Sequence, residues 1–154
     1  MEQKKLPANM KVISTELVDN KLFIGVDRNA DYFLYYDTIK NNLESIKYSK
    51  QIINRIDISK IVYNDNSIFF ISLTGDVVKL DRKTLSIDSF KKIGDKITIS
   101  AAIKDNRLYL LSVNDENKNK AIVDILDCKN LNKIDETLVG PIRNTMPRDI
   151  FIYK

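Results

Sequence analysis

Residues 64–90 read NDNSIFFISLTGDVVKLDRKTLSIDSF, and this stretch decides the fold. A polar turn leads into an apolar strand at 67–73, and a second strand at 76–80 ends in Leu80-Asp81 before a Lys-Thr-Leu turn. Apolar residues at consecutive positions require cover on both faces of a strand. The stretch therefore predicts antiparallel strands that lie inside a layered β structure.

Related stretches occur four times along the chain. They read VDNKLFIGV from Val18, NDNSIFFIS from Asn64, KDNRLYLLS from Lys104 and MPRDIFIYK from Met146. The matched apolar positions lie 46, 40 and 42 residues apart, and an aromatic residue follows each of them: Leu22-Phe23, Ile68-Phe69, Leu108-Tyr109 and Ile150-Phe151. A period of about 40–45 residues is typical of stacked modules that cannot bury their apolar faces alone.

A second landmark keeps the same period. Asp37, Asp81 and Asp127 each end a predicted strand, and leucines follow at matched positions: Leu43, Leu85 and Leu131. An aspartate that accepts hydrogen bonds from the following backbone N–H groups forms a turn between strands. Each unit should therefore contain four strands. We predict them at 11–18, 21–26, 32–37 and 43–48, at 60–63, 67–73, 76–80 and 85–91, and at 97–103, 107–113, 120–127 and 133–139.

These observations predict an all-β chain of repeated four-stranded antiparallel sheets in a single domain, 1–154. The units cover about 10–55, 56–95 and 96–140, with a partial unit at 141–154. Residues 42–58 fit two patterns, because Leu43, Ile46, Ile53 and Ile56 approach helical spacing whereas Ile52, Ile56 and Ile58 alternate as in a strand. We favour a strand with an irregular loop.

The units resemble the blades of a β-propeller, in particular the YVTN and PQQ-like repeats, in which a strand ends in Leu-Asp before a turn such as Lys-Thr-Leu. Residues 80–85 (LDRKTL) and 126–131 (LDCKNL) carry the resemblance. It implies an incomplete ring, because propellers typically close with 4–8 blades and the fourth unit here is partial. The chain is then a piece of a longer propeller, half of a ring completed by a second copy, or a closed sandwich or barrel; we favour the first two.

Composition restricts the chemistry. The chain has no histidine, which excludes a Ser-His-Asp triad and histidine metal sites, and Cys128 is its only cysteine, so no disulfide forms within it. We expect no metal and no cofactor. The net charge of +4 comes from interspersed residues of both signs, so no nucleic acid is expected as a partner. No apolar stretch is long enough for a membrane span. A cytoplasmic location is the default expectation, and an extracellular one applies if a leader peptide has been removed.

Binding is the leading hypothesis for function, with catalysis as the alternative. Acidic and basic residues in the predicted loops between second and third strands form a candidate binding face: Asp27, Arg28, Asp31, Asp76, Asp115 and Glu116. Solvated turn residues are the simpler interpretation of the same pattern. The partial fourth unit offers candidate residues for self-assembly: Ile150, Phe151 and Tyr153. We therefore expect a non-catalytic module that binds a protein or ligand. The alternatives are part of a propeller enzyme of the carboxylate-dependent lyase or glycosidase type, and a self-assembling structural subunit.

Overall fold

The computed structural model describes residues 10–27, 32–48, 57–94, 96–114, 117–141 and 150. Within these ranges the chain forms three four-stranded sheets and no helix, which confirms the predicted all-β class. The first sheet contains β1 (Lys11–Val18), β2 (Lys21–Asp27), β3 (Tyr32–Asp37) and β4 (Asn42–Lys47). The second sheet contains β5 (Ile58–Tyr63), β6 (Ser67–Ser72), β7 (Val77–Asp81) and β8 (Ile87–Lys91). The third sheet contains β9 (Lys96–Lys104), β10 (Arg107–Asn114), β11 (Asn117–Asp127) and β12 (Lys133–Pro141).

Each sheet is an antiparallel meander in which strands consecutive in the sequence are neighbours. Between sheets the backbones come closest where β1 meets β5 and where β5 meets β9. The sheets therefore fan out from a line of first strands, and the described residues close no ring. The end at which the first strands begin is called the upper end below, and the end at which they finish is called the lower end.

The predicted strands are all present, with bounds within three residues of the expected ones. The start of the ambiguous segment 42–58 is strand, since β4 covers 42–47, and residues 49–56 lie outside the described ranges. β6 is buried along its whole length, as its consecutive apolar residues predicted. The outer strand β12 exposes Ile134 and Leu138 among charged residues.

Alternate residues of the second strands face opposite neighbours. Phe23 of β2 and Ile68 of β6 pack together between the first and second sheets, whereas Phe69 packs with Leu108 of β10 between the second and third. The matched aliphatic position of the repeat therefore faces the preceding sheet. The aromatic position after it faces the following sheet.

Two apolar clusters hold the three sheets together. In the first cluster the ring of Phe33 stacks on that of Phe70, with centroids 4.3 Å apart, and Phe23 meets Phe70 edge to face at 5.7 Å. Tyr35 is buried in this cluster, so packing between sheets explains an aromatic residue at this position. The second cluster includes Cys128, and burial, followed by the charge of Asp127, raises the pKa of its thiol to about 11.

The repeated aspartates form the predicted turns. Oδ1 of Asp81 accepts hydrogen bonds from the backbone N–H groups of Lys83 and Thr84, at 3.0 and 2.8 Å. Asp37 accepts from residues 39 and 40 in the same way, and Asp127 accepts from residue 129. One side-chain oxygen thus satisfies the donors of a turn that has no ladder partners.

The residue four positions after each aspartate takes a left-handed backbone conformation. These residues are Asn41 at φ 56°, Leu85 at 58° and Leu131 at 59°. The predicted match of Leu43 with the two leucines is therefore wrong. Asn41 occupies that turn position, and Leu43 already belongs to β4.

Candidate functional site

A groove runs along the line where the first strands meet. Its upper hollow has a volume of about 360 Å³ and is lined by residues 13–16 of β1, residues 59–62 of β5 and Ala101 of β9. Its lower hollow has a volume of about 230 Å³ and is lined by Glu16, Ile61, Val62, Tyr63 and Ile103. Because Glu16, Ile61 and Val62 line both hollows, we treat them together as the inner groove.

Strand alternation decides which side chains reach the inner groove. Glu16 lies opposite Phe23 in the ladder, on the face of the first sheet that is turned toward the second. On β5, Ile61 and Tyr63 are turned toward the first sheet, and Val62 is turned toward the third. β1 and β5 are edge strands of their sheets. Side chains on core-facing positions of these edges therefore line a groove at the rim of the core.

Glu16 is the most unusual residue of the groove. Its side chain is half-buried, and it makes no hydrogen bond or ion pair with any described residue. Burial raises the pKa of its carboxyl above the ordinary 4.5. The cause is the loss of water without a compensating partner, which disfavours the charged form. A carboxylate in this state can gain from a ligand that supplies a positive charge or hydrogen-bond donors.

A clamp of three side chains forms the lower end of the groove. The guanidinium of Arg82 lies over the ring of Tyr63, 5.1 Å from its centroid. It pairs with Asp19 through two nitrogens, with Nη2 2.6 Å from Oδ1, and Nη1 donates to the carbonyl of Asn64 at 2.9 Å. The hydrogen bond from Arg82 lowers the pKa of Asp19. The clamp joins turns of the first and second sheets, so it fixes the position of Tyr63.

The upper hollow combines serine hydroxyls with one ammonium group. Ser14 Oγ donates to the carbonyl of Ile58 at 2.8 Å, and Ser59 Oγ donates to the carbonyl of Ile71 at 3.2 Å. Both hydroxyl protons are therefore used in hydrogen bonds to the backbone of neighbouring strands. Lys60 makes no ion pair with the described residues, and its ladder position opposite Ile71 places it on the face of β5 turned toward the third sheet.

The predicted loop-face residues are only partly described. Asp27 Oδ1 accepts a hydrogen bond from the backbone N–H of Lys11 at 2.7 Å, so this carboxylate joins the end of β2 to the start of β1. Asp76 follows the turn after β6, where its backbone N–H donates to Ser72 Oγ at 2.8 Å. Both aspartates lie at the upper end of their sheets. The other four candidates, Arg28, Asp31, Asp115 and Glu116, lie outside the described residues.

Of the candidate self-assembly residues, only Ile150 is described, and it is half-buried. Phe151 and Tyr153 lie outside the described ranges. Self-assembly through these three residues stays a prediction.

A charged cluster inside the third sheet has a structural character. Asp124 is fully buried, with Lys96 Nζ 3.1 Å from its Oδ2 and Lys133 Nζ 2.7 Å from its Oδ1. Glu136 completes the cluster, 2.8 Å from the ammonium of Lys96. Two lysines and two carboxylates neutralise one another and join β9, β11 and β12. Their mutual pairing satisfies the buried charge of Asp124 within the third sheet.

Sequence reasoning did not single out Glu16. The strand KVISTELV mixes polar and apolar residues as an ordinary strand does, and a glutamate on it is expected to be solvated. Its position becomes informative only once β1 is known to meet β5. Among the described residues, no group of three or more histidine, cysteine or acidic side chains has the arrangement of a metal site. Within the same ranges, no helix has the length and apolarity that a membrane span requires.

Comparison with known proteins identifies the fold. The chain matches no protein-family model and no curated protein sequence. Among solved structures, BamB from Moraxella catarrhalis is 12% identical with a TM-score of 0.60, over 91% of this chain and 37% of that one. The WD40 domain of Toxoplasma gondii coronin is 13% identical with a TM-score of 0.62, over 85% and 35%. A quinohemoprotein alcohol dehydrogenase from Pseudomonas putida is 12% identical with a TM-score of 0.67, over 89% and 22%.

These similarities confirm the predicted resemblance to propeller repeats. The chain spans 37% or less of the length of the three solved chains, in agreement with an incomplete propeller. Identities of 12–13% show a shared fold, and propellers perform unrelated functions.

Proposed function

We propose that this incomplete propeller, whose described residues form three sheets, is a non-catalytic binding module, and that a segment of a protein partner docks along its inner groove and the adjoining loop face. Glu16 is half-buried among apolar side chains of the groove and pairs with none of the described residues, and this is the observation that carries the proposal. Ligand sites are typically concave and apolar, with a few polar groups that fix orientation. The inner groove has this composition.

Apolar surface is exposed at the upper end of the groove. Ile13 of β1 is about half exposed and lines the upper hollow. The candidate loop residues at the upper end, Asp27 and Asp76 among them, would add a polar rim. An apolar centre with a polar rim is the usual composition of a protein interface.

The similar solved structures support binding as well as catalysis. One of them, at 12% identity and a TM-score of 0.66, is a chain of a mitotic checkpoint complex, and others are alcohol dehydrogenases. A carboxylate-dependent lyase or glycosidase needs two carboxyl groups that face one cavity. Glu16 is the only carboxylate among the described residues that line the two hollows. We therefore favour the binding role.

A peptide selection tests the proposal. A phage-displayed random peptide library is selected on the immobilised chain, and an enriched peptide is synthesised and titrated by fluorescence anisotropy. We expect Ile13→Arg, which fills the upper hollow with a bulky charged side chain, to weaken binding by about tenfold or more. Ile39→Arg is the matched control, because Ile39 is 74% exposed in the lower turn between β3 and β4, and this variant should bind like the wild type.

Two outcomes would contradict the proposal. In the first, no peptide is enriched over the bare support. In the second, Ile13→Arg and Ile39→Arg bind the selected peptide as tightly as the wild type, so that the contact lies elsewhere on the molecule.

A further inference from the structure

We infer that the lower hollow is a subsite for one basic side chain, arginine or lysine, of the docked protein segment. The inference rests on the proposed function and adds the chemistry of the residue that is recognised. Its basis is the pairing of an unsatisfied carboxylate with apolar walls in a hollow of restricted size.

Charge determines which kind of group fits. Glu16 is the only charged residue among the described residues that line the lower hollow. A half-buried carboxylate that has lost water without gaining a partner gains most from a cation with N–H donors. A bound ammonium or guanidinium would lower the carboxyl pKa that burial has raised. An acidic or purely apolar group would leave the carboxylate unpaired or bury it further.

The walls suit the stem of a long basic side chain. Ile61, Val62 and Ile103 supply apolar surface on which the methylene groups of lysine or arginine can pack. Tyr63 closes the lower end, and the guanidinium of Arg82 already lies over its ring. Arg82 is itself paired with Asp19, and the negative charge of Asp19 reduces the repulsion between Arg82 and an incoming cation.

The lower hollow on its own measures about 230 Å³ and has room for one side chain. It shares three lining residues with the upper hollow of about 360 Å³, which lies within the range of about 300–1,000 Å³ typical of small-molecule sites, so charge rather than size argues for a basic side chain. The volume suits one side chain of an extended segment whose neighbouring residues follow the groove into the upper hollow. Lys60 also lines the upper hollow and makes no ion pair with the described residues.

The test uses the same peptide library, the full chain and two variants that remove one negative charge each. Glu16→Gln removes the charge inside the lower hollow. Asp135→Asn is the matched control on the exposed outer strand β12. Because the chain carries a net charge of +4, overall attraction favours acidic peptides. Selection of peptides with a basic residue would therefore reflect a local contact, and both variants change the net charge equally.

We expect the wild type and Asp135→Asn to select peptides that share an arginine or lysine. Replacing that residue by citrulline or norleucine should weaken wild-type binding by about tenfold, which corresponds to about 1.4 kcal/mol. Against Glu16→Gln the same replacement should have little effect, so the double-mutant cycle shows coupling between the two groups. Thermal melts confirm that each variant is folded.

The possible failures are distinguishable. If the selected peptides lack a basic residue, or if Glu16→Gln leaves their affinity unchanged while Ile13→Arg abolishes it, the basic subsite is wrong and groove binding stands. If no peptide is enriched, both the subsite and the proposed function fail.

Discussion

At the scale of single residues, Glu16 is a position where the fold carries a side chain that does not stabilise it. A carboxylate placed at the rim of an apolar cluster loses water and gains no partner within the described chain. Such a group lowers the stability of the fold, and functional sites commonly carry this kind of cost. Glu16 therefore differs from Asp37, Asp81 and Asp127, whose carboxylates satisfy the turns that they occupy.

We predict that Glu16→Gln raises the melting temperature at pH 7. The raised pKa means that the folded chain holds the Glu16 proton more tightly than the unfolded chain, so the ionised group opposes folding above its pKa. The difference in melting temperature between variant and wild type should shrink as the pH falls through the raised pKa of Glu16, and it should be lost below the ordinary value of 4.5, where the folded and unfolded chains are both protonated. Calorimetry at pH 7 and below pH 4.5 checks this. A variant that is less stable than the wild type at pH 7 would contradict it.

Gly25 shows how closely neighbouring sheets approach. A Cβ at this position would lie 2.6 Å from the carbonyl oxygen of Ile58 and still closer to Ser14 Oγ. That carbonyl already accepts the hydrogen bond from Ser14, which joins the first sheet to the second. No side chain fits there without moving β5.

We therefore predict that Gly25→Ala destabilises the fold by about 1–3 kcal/mol, the usual cost of overpacking. Urea denaturation followed by circular dichroism measures the change. Gly94→Ala is the comparison, since a Cβ at Gly94 meets nothing within 4 Å, although its φ of 136° adds local backbone strain. Unchanged stability of Gly25→Ala would show that the first two sheets separate more easily than the contacts imply.

At the scale of elements, the turns between third and fourth strands show two solutions to one backbone problem. Asn41 tolerates the left-handed conformation through its short polar side chain. Leu131 takes the same conformation at a strain of about 1–2 kcal/mol. Its side chain is buried in the second cluster, and burial of a leucine contributes about 1.5–3 kcal/mol. Packing therefore offsets the strain at Leu131.

The sequence was a good guide to strands and a poor guide to the groove. β6 could be predicted because consecutive apolar residues and a flanking turn are local signals. The match of Leu43 to Leu85 failed because residue type alone does not report a left-handed backbone. Glu16 could not be identified, because the groove depends on which edge strands meet, and those contacts link residues far apart in the chain.

The charged cluster of the third sheet predicts acid sensitivity. Hydrogen bonds from Lys133 and Lys96 hold the pKa of Glu136 at about 2, below its ordinary 4.5. Because the pKa of Glu136 is lower in the folded chain than in the unfolded chain, the ionised carboxylate stabilises the fold above about pH 4.5. This contribution is lost as the pH falls from about 4.5 toward 2. We predict that Glu136→Gln flattens the loss of stability in that range, whereas Asp135→Asn does not. Denaturation midpoints measured across the range test this, and parallel curves for Glu136→Gln and the wild type would contradict it.

At the scale of the whole molecule, the three sheets of the described residues have two different end faces. Each internal interface joins the forward face of one sheet, which bears residues such as Phe23, to the backward face of the next, which bears residues such as Ile68. The backward face of the first sheet carries Leu22 and the exposed Leu17, which are opposite each other in the ladder. The forward face of the third sheet carries Tyr109 and Ile125. The forward end face of one copy and the backward end face of another therefore carry the same kinds of residue that meet at the internal interfaces.

We predict that the 154-residue chain self-associates through these end faces, so that light scattering gives a molar mass above the 17.8 kDa of one chain. A forward face that docks on a backward face is a heterologous contact, which builds rings or open assemblies. Leu17→Asp should reduce the mass toward 17.8 kDa, because Leu17 is 55% exposed and a charge there opposes association without entering the core. Ile39→Asp, in an exposed turn, is the control. A wild-type mass of one chain would show instead that the end faces are covered within the chain itself.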